Sequence, residues 1–217
     1  MFNCKAALFD MDGVIINSHS IANQLLVDTA NRFGCNLTVD DIKKWGSLSS
    51  RQFWAKVKND YNLTESIDYY IKQYNNDDEI EQYKNIQPIE GVISFIKILK
   101  AHNIKLGLAT SASRHRMSAV IELFCLNDYF DAYTCDEDIA NSKPDPEIFL
   151  LTAGKLNVKP ENCIVIEDSE NGKIAAKRAN MKVLGFKGLD IVDENMEGSD
   201  IIFYNFNDLD IDKVLGL

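Results

Sequence analysis

Apolar and polar residues follow two different rhythms along this chain. From Ser18 to about Tyr83, apolar residues recur at helical spacing and no strand pattern is present. Thr38, followed three residues later by Asp41, resembles a capping box at a helix start. Helices are predicted over residues 50–60 and 64–74, and the polar run at 75–79 predicts a loop or a helix end. This stretch is therefore predicted to be a separate helical module.

After Pro88, short apolar runs alternate with helical patterns. Strands are predicted over 104–109, 129–134, 163–166, 183–186 and 201–204, and helices over 117–124, 146–156 and 172–179. Such alternation implies a parallel sheet with helices on both faces. The first apolar run, Ala6 to Phe9, must join that sheet, so the helical module is an insertion after strand one. We therefore predict an α/β fold: a doubly wound, mostly parallel Rossmann-like sheet (1–16 and 85–217) with an inserted small α-helical domain (17–84).

Composition adds limits on the partners. The 217 residues are enough for one sizeable core, or for a main domain that carries a small second module. Their content of 46% hydrophobic and 26% charged residues is ordinary for a globular protein. The formal net charge of -10 argues against nucleic acid and against anionic lipid. An acidic protein can still bind a small phosphorylated metabolite, provided that a metal or local cations offset the charge. We expect a monomer or a homodimer.

The cysteines favour a reduced, cytoplasmic compartment. They are odd in number and scattered, without a C-x-x-C pair, so neither disulfides nor structural zinc is expected. They are Cys4, Cys35, Cys125, Cys135 and Cys163. No charged leader precedes a long apolar run, and no apolar stretch approaches the roughly 18 residues that span a bilayer. We therefore expect neither a signal peptide nor a membrane span.

Candidate chemistry lies at the carboxyl ends of the predicted strands, where ligands bind in open parallel sheets. Strand one ends in Asp10-Met11-Asp12-Gly13. Two carboxylates at one strand-to-loop turn can share a pocket, with one as nucleophile or metal ligand and the other handling protons. The alternative is an acidic turn, since calcium loops use the same residues.

Two further strand ends carry groups suited to an anion. Thr110 and Ser111 place small hydroxyls and backbone N–H groups at a helix entrance, although Ser113 or its neighbour could simply cap that helix. Lys143 stands before Pro144, so a rigid turn positions a cation that could neutralise phosphate. A surface lysine at a helix start is the alternative.

The fourth strand end carries Glu167 and Asp168 directly after a buried strand. Two adjacent buried acids are costly without a cation, and Mg²⁺ suits one or two carboxylates completed by water and phosphate. Acids at a helix start are favoured by the helix dipole, which is the other interpretation. The common placement of all four groups at strand ends favours a shared site.

These motifs resemble those of the haloacid dehalogenase-like hydrolases. The matching segments are Phe9 to Val14, Ala109 to Ser111, Ser142 to Pro146, and Ile166 to Ser169 with Gly172. The resemblance is to the branch with a helical cap after the first strand, which includes phosphoglycolate phosphatases and β-phosphoglucomutases. It implies Mg²⁺-dependent phosphoryl transfer with the inserted module as the cap.

The resemblance also implies roles for the acids. Asp10 is the expected nucleophile, and Asp12 the acid/base that protonates the leaving oxygen and then activates water. The metal is expected on the Asp10 carboxylate, the Asp12 backbone carbonyl and Asp168, with Glu167 steadying it directly or through water. The phosphoryl oxygens are expected to be held by Thr110, Ser111 and Lys143.

Several activities remain open. A phosphatase is the leading hypothesis and a β-phosphoglucomutase-like mutase the alternative. The mutase subgroup has a histidine where this chain has Ala22, while His19 lies about one helical turn earlier. Asp12 argues against a dehalogenase, and a binding module would be expected to lose Asp10 or Lys143.

Two further predictions concern cations outside these motifs. Arg51, in the inserted module, is a possible substrate contact. His115 with its neighbours Arg114 and Arg116 is interpreted as a solvated helix start.

Overall fold

Six parallel strands form the centre of the computed structural model, which describes residues 2–45, 48–189 and 194–216. The strands are β1 (Ala6–Phe9), β2 (Lys105–Ala109), β3 (Ala132–Thr134), β4 (Cys163–Glu167), β5 (Lys182–Phe186) and β6 (Ile201–Phe203). Their order is β3-β2-β1-β4-β5-β6, and every adjacent pair is parallel. The predicted fold class is therefore confirmed.

Helices flank the sheet and form most of the insertion. They are α1 (His19–Asn31), α2 (Val39–Trp45), α3 (Ser50–Asp60), α4 (Ile67–Ile71), α5 (Asn76–Tyr83), α6 (Val92–Ala101), α7 (Arg114–Leu123), α8 (Glu147–Lys155), α9 (Glu170–Arg178) and α10 (Ile211–Leu215).

The core lies on both faces of the sheet because side chains alternate along each strand. In β1, Ala7 and Phe9 pack into one buried cluster with α6, α7 and α10. Ala6 and Leu8 face the opposite way, into a second cluster with α8 and α9. All four side chains are fully buried. The near-continuous apolar runs of the sequence are what a sheet covered on both faces requires.

Strand order places a switch point beside β1. The chain runs from β1 outward to β2 and β3, then returns to pair β4 with the other side of β1. The crossovers therefore leave β1 in opposite directions, which opens a crevice at its carboxyl end.

The helical insertion has a hydrophobic cluster of its own. Phe53 and Trp54 of α3 and Tyr70 of α4 lie at its centre, and Trp54 stacks on Tyr70 with ring centroids 5.2 Å apart. Ser49 caps α3 through a complete capping box with Gln52. This packing supports an inserted module, while the boundary at residues 17–84 stays a prediction.

Helix α5 returns the chain to the sheet, in a place where the sequence predicted a loop or a helix end. Asn75 caps it and three acids occupy its first turn, where the helix dipole favours negative charge. Ile80 and Tyr83 pack against the sheet cluster that contains Phe9. Helix α5 therefore contacts both the sheet cluster and helix α1 of the insertion.

In the part of the chain that the structure describes, no helix combines the length and apolarity needed to cross a bilayer. The five cysteines are free thiols.

Candidate active site

The predicted acids meet at the switch point. Asp10 directly follows β1, and Glu167 ends the neighbouring β4, with Asp168 next. The Asp10 backbone N–H donates to the Ile166 carbonyl at 3.0 Å, which extends the β1–β4 pairing to the site. Asp10 and Glu167 are buried. Parallel pairing of two adjacent strands thus brings together acids that are more than 150 residues apart.

Lys143 lies between two of these acids. Its Nζ is 2.5 Å from Asp10 Oδ1 and 2.6 Å from Glu167 Oε1, and its side chain is 8% exposed. The ammonium also lies over the Phe149 ring, 4.9 Å from the centroid. Charge-assisted hydrogen bonds in a buried site fix the geometry of all three groups. Lys143 is therefore not a surface lysine, while its contact with phosphate stays a prediction.

Glu167 accepts hydrogen bonds from Ser169, the residue that precedes α9. Its Oε2 accepts from both the backbone N–H and the hydroxyl of Ser169, each at 2.8 Å. A Cβ on Gly172 would lie 1.8 Å from Glu167 Oε1, so only glycine allows this close approach. Glu167 is thus occupied as the anchor of Lys143, which favours Asp168 over Glu167 as a direct metal ligand.

Asp168 contacts a histidine to which the sequence analysis assigned no role in the site. His19 Nε2 donates to Asp168 Oδ2 at 3.0 Å. Burial disfavours the imidazolium, yet the hydrogen bond and charge of Asp168 outweigh it and raise the pKa of His19 to about 9. Helix α1 begins at His19, which places this first residue above the carboxyl edge of the sheet.

Asp12 is held by two donors. Ser18 Oγ donates to Asp12 Oδ1 at 2.5 Å, and Arg116 Nη2 donates to the same oxygen at 2.8 Å. The prediction of a solvated helix start at 114–116 is therefore wrong for Arg116, whose side chain is only 15% exposed. It is right for Arg114 and His115, which are exposed. Arg116 lies in the first turn of α7, and its side chain points into the site.

The remaining predicted contacts lie at the same edge or in the insertion. Thr110 follows β2, and its buried hydroxyl accepts from the Ala112 N–H at 3.0 Å, while Ser111 is exposed beside it. Ser113 caps α7 by accepting from the Arg116 N–H. Arg51 is exposed and pairs with Asp68 at 2.5 Å on the surface of the insertion. Phosphate binding by Thr110 and Ser111, and substrate contact by Arg51, stay predictions.

Negative charge is concentrated at the centre of the site. Burial raises the pKa of Asp10 well above its usual value; Lys143 opposes the shift, and Glu167, Asp168 and Asp12 add to it. Burial likewise raises the pKa of Asp168, against the effect of His19. Keeping these buried acids ionised is therefore costly without a further cation.

A divalent cation at the site would offset this cost. Among the described residues, no group of three or more His, Cys, Asp or Glu side chains is arranged as a metal cage. Mg²⁺ does not need one, because it binds one or two carboxylates and keeps water and phosphate oxygens as its other ligands. Asp10 and Asp168, on adjacent strand ends, supply donors of the required hard type.

Comparison with known proteins agrees with this geometry. The family model described as haloacid dehalogenase-like hydrolase matches residues 7–186. The chain is 29% identical to a phosphorylated carbohydrates phosphatase of Thermotoga maritima, over 82% of each protein. It is 30% identical to the β-phosphoglucomutase of Bacillus subtilis, over 96% of this chain and 92% of that protein. The crystal structure of a family IA, variant 3 hydrolase of Entamoeba histolytica superposes with a TM-score of 0.86 at 24% identity, covering 98% of both chains.

Proposed function

Because the chain belongs to the haloacid dehalogenase-like hydrolase family, we propose that it is a Mg²⁺-dependent phosphatase of a small phosphorylated metabolite. The observation that carries this proposal is the buried Asp10–Lys143 contact at the carboxyl end of the central strand, with Asp12 two residues further on. A nucleophile, a cation and an acid/base thus lie within one crevice. These are the parts that phosphoryl transfer through an acyl phosphate requires.

In the first step, a carboxylate oxygen of Asp10 attacks phosphorus and the ester oxygen leaves. Asp12 gives its proton to that oxygen, so the alcohol departs neutral. Lys143 Nζ lies 2.5 Å from the attacking carboxylate and offsets repulsion between it and the phosphate. Thr110 and Ser111 complete the phosphate contacts.

In the second step, water attacks phosphorus of the aspartyl-phosphate. Asp12, now ionised, takes a proton from that water, and the phosphorus–oxygen bond to Asp10 breaks. Inorganic phosphate is released and Asp10 is restored. The Asp10 carboxylate, the Asp12 backbone carbonyl and Asp168 would hold Mg²⁺, which would supply charge neutralisation and in-line alignment when bound.

A phosphorylated carbohydrate is the substrate class we propose. The Thermotoga maritima relative is named for such substrates. The helical insertion at 17–84 would act as the cap that covers the bound ester and excludes bulk water. The free thiols and acidic surface suit a cytoplasmic monomer or homodimer that binds neither nucleic acid nor membrane.

A sugar-phosphate mutase is the second candidate, since the Bacillus subtilis relative matches nearly the whole chain. A mutase must bind a bisphosphate in two orientations and keep water away from the phosphorylated Asp10. The mutase histidine is replaced by Ala22, which favours water as the acceptor.

One assay separates the candidates. The enzyme is given β-glucose 1-phosphate, Mg²⁺ and a trace of glucose 1,6-bisphosphate, and glucose 6-phosphate and free phosphate are followed together. Bisphosphate-dependent glucose 6-phosphate with little free phosphate would establish the mutase.

A phosphate-release screen over sugar phosphates, polyol phosphates, phosphoglycolate and nucleotides tests the phosphatase. Release should require Mg²⁺ and stop with chelator, and Ca²⁺ should inhibit because its looser coordination spoils in-line geometry. Undiminished release in excess chelator would overturn the metal dependence.

A further inference from the structure

Both connections between the sheet and the helical insertion lead to one oxygen of Asp12. On the outgoing connection, Ser18 donates to Asp12 Oδ1 at 2.5 Å. On the return, Glu79 and Tyr83 of α5 contact Arg116, which donates to the same oxygen at 2.8 Å. The proposed acid/base, Asp12, is therefore linked to both the first and the last segment of the insertion.

Arg116 contacts two side chains of α5 in addition to Asp12. Its Nη2 lies 2.6 Å from Glu79 Oε1, and its Nε donates to the Tyr83 hydroxyl at 2.9 Å. Glu79 is fully buried, and the hydroxyls of Tyr74 and Tyr83 donate to its two oxygens at 2.6 Å each. A buried carboxylate is costly unless it is paired, so the Glu79–Arg116 contact is strongly favoured.

We propose that Arg116 is a positioning residue for Asp12. Anchored on Glu79, it holds Asp12 Oδ1 in place and leaves Oδ2 as the oxygen that transfers protons. The orientation of Asp12 then depends on where α5 lies, so placement of the insertion and proton transfer are coupled. This inference rests on the proposed function, since it needs Asp12 to protonate a leaving oxygen.

A nearby ion pair provides the matched control. His115 Nε2 lies 2.7 Å from Asp77 Oδ1, and both side chains are mostly exposed. This pair joins the same two helices, α5 and α7, without touching Asp12. A His115→Gln change therefore tests whether mere attachment of α5 to α7 matters.

The test uses two aryl esters that differ in their need for an acid. The p-nitrophenolate of p-nitrophenyl phosphate departs without a proton, whereas the phenolate of phenyl phosphate is a poorer leaving group that benefits from one. Arg116→Met should lower kcat/KM for phenyl phosphate by about 100-fold and for p-nitrophenyl phosphate by less than about tenfold, since general acid catalysis contributes roughly 100- to 10,000-fold. His115→Gln should leave both values unchanged.

Additional variants guard against loss of folding, monitored by circular dichroism. Arg116→Met leaves the Glu79 charge buried and unpaired, so the double variant Arg116→Met with Glu79→Gln removes both charges and should show the same difference between esters. Arg116→Lys should recover part of the phenyl phosphate activity. Equal losses for both esters, or no loss in the double variant, would overturn the positioning role. Failure of the unmodified enzyme to release phosphate from either ester with Mg²⁺ would instead overturn the proposed function.

Discussion

Gly13 combines a left-handed backbone conformation with close contacts to the site. Its φ is +83°, and a Cβ there would lie 1.9 Å from Asp168 Oδ2 and 2.4 Å from His19 Nε2. Gly34 has nearly the same φ, +81°, with nothing within 4 Å. A side chain at Gly34 would therefore cause only the strain of a left-handed backbone, whereas a side chain at Gly13 would cause the same strain and also collide with site residues.

We predict different outcomes for alanine at these two positions. Gly34→Ala should cost about 1–2 kcal/mol of unfolding free energy from strain alone and leave catalysis intact. Gly13→Ala should cause the same strain and also displace Asp168. The Mg²⁺ concentration for half-maximal activity should then rise roughly 10- to 100-fold, which is the usual effect of losing a residue that orients a metal ligand. Urea unfolding and Mg²⁺ titrations measure the two effects. Equal Mg²⁺ requirements in both variants would contradict this role for Gly13.

At the residue scale, the sequence predicts groups in the loops that follow strands but not those that arrive from elsewhere. Asp10, Lys143 and Asp168 follow recognisable strand-and-turn patterns, and the structure brings them together. His19 and Arg116 stand in ordinary polar helix starts, and their partners lie 149 and 104 positions away. Only the folded arrangement of α1 and α7 over the sheet reveals them.

At the scale of elements, two serine caps have different consequences. Ser49 caps α3 within the insertion, far along the chain from the site acids. Ser169 caps α9 by accepting from the Gly172 N–H at 3.1 Å, and its hydroxyl also donates to Glu167 Oε2 at 2.8 Å. One cap supports a helix, and the other also supports the anchor of Lys143.

Replacing either serine by alanine should therefore cost about 1 kcal/mol of stability. Only Ser169→Ala should also lower kcat, by roughly tenfold, because it removes a hydrogen bond to the Glu167 carboxylate. Such a bond to a charged group contributes about 1.5–3 kcal/mol, and 1.4 kcal/mol corresponds to a tenfold change in rate. Thermal unfolding and steady-state phosphate release give the two readings. A comparable fall in kcat for Ser49→Ala would show that the loss of activity does not come from the hydrogen bond to Glu167.

Helix boundaries show what local pattern can and cannot specify. The helix predicted at 50–60 is α3 as observed, because its cap and apolar spacing agree. The helix predicted at 64–74 shortens to α4, Ile67–Ile71. Helix α5 is absent from the prediction; Ile80 and Tyr83 pack it against the sheet cluster, and such packing cannot be read from the local sequence.

At the scale of the whole molecule, the two connections to the insertion lie side by side. Ile16 bridges Pro88, and the Ile89 N–H donates to the Ile15 carbonyl at 2.8 Å. A short paired hinge of this kind would let the insertion move as one body over the site.

We expect closure to depend on ligand. Addition of Mg²⁺ with a phosphate mimic such as vanadate should reduce the radius of gyration in X-ray scattering and slow hydrogen exchange at Ser18 and along α5. An Asp10→Asn variant with Mg²⁺ alone serves as the control. Identical scattering and exchange with and without the ligands would count against a closing cap.

The central claim is that Asp10 carries the phosphoryl group during turnover. The most direct measurement is a rapid acid quench of enzyme in excess over p-nitrophenyl phosphate, followed by peptide mass mapping. The account predicts a phosphoryl group on Asp10 that rises and decays within one turnover, persists longer in Asp12→Asn and is absent in Asp10→Asn. Release of p-nitrophenol in the first turnover without any phosphoryl group on the protein, or with that group on another residue, would contradict it.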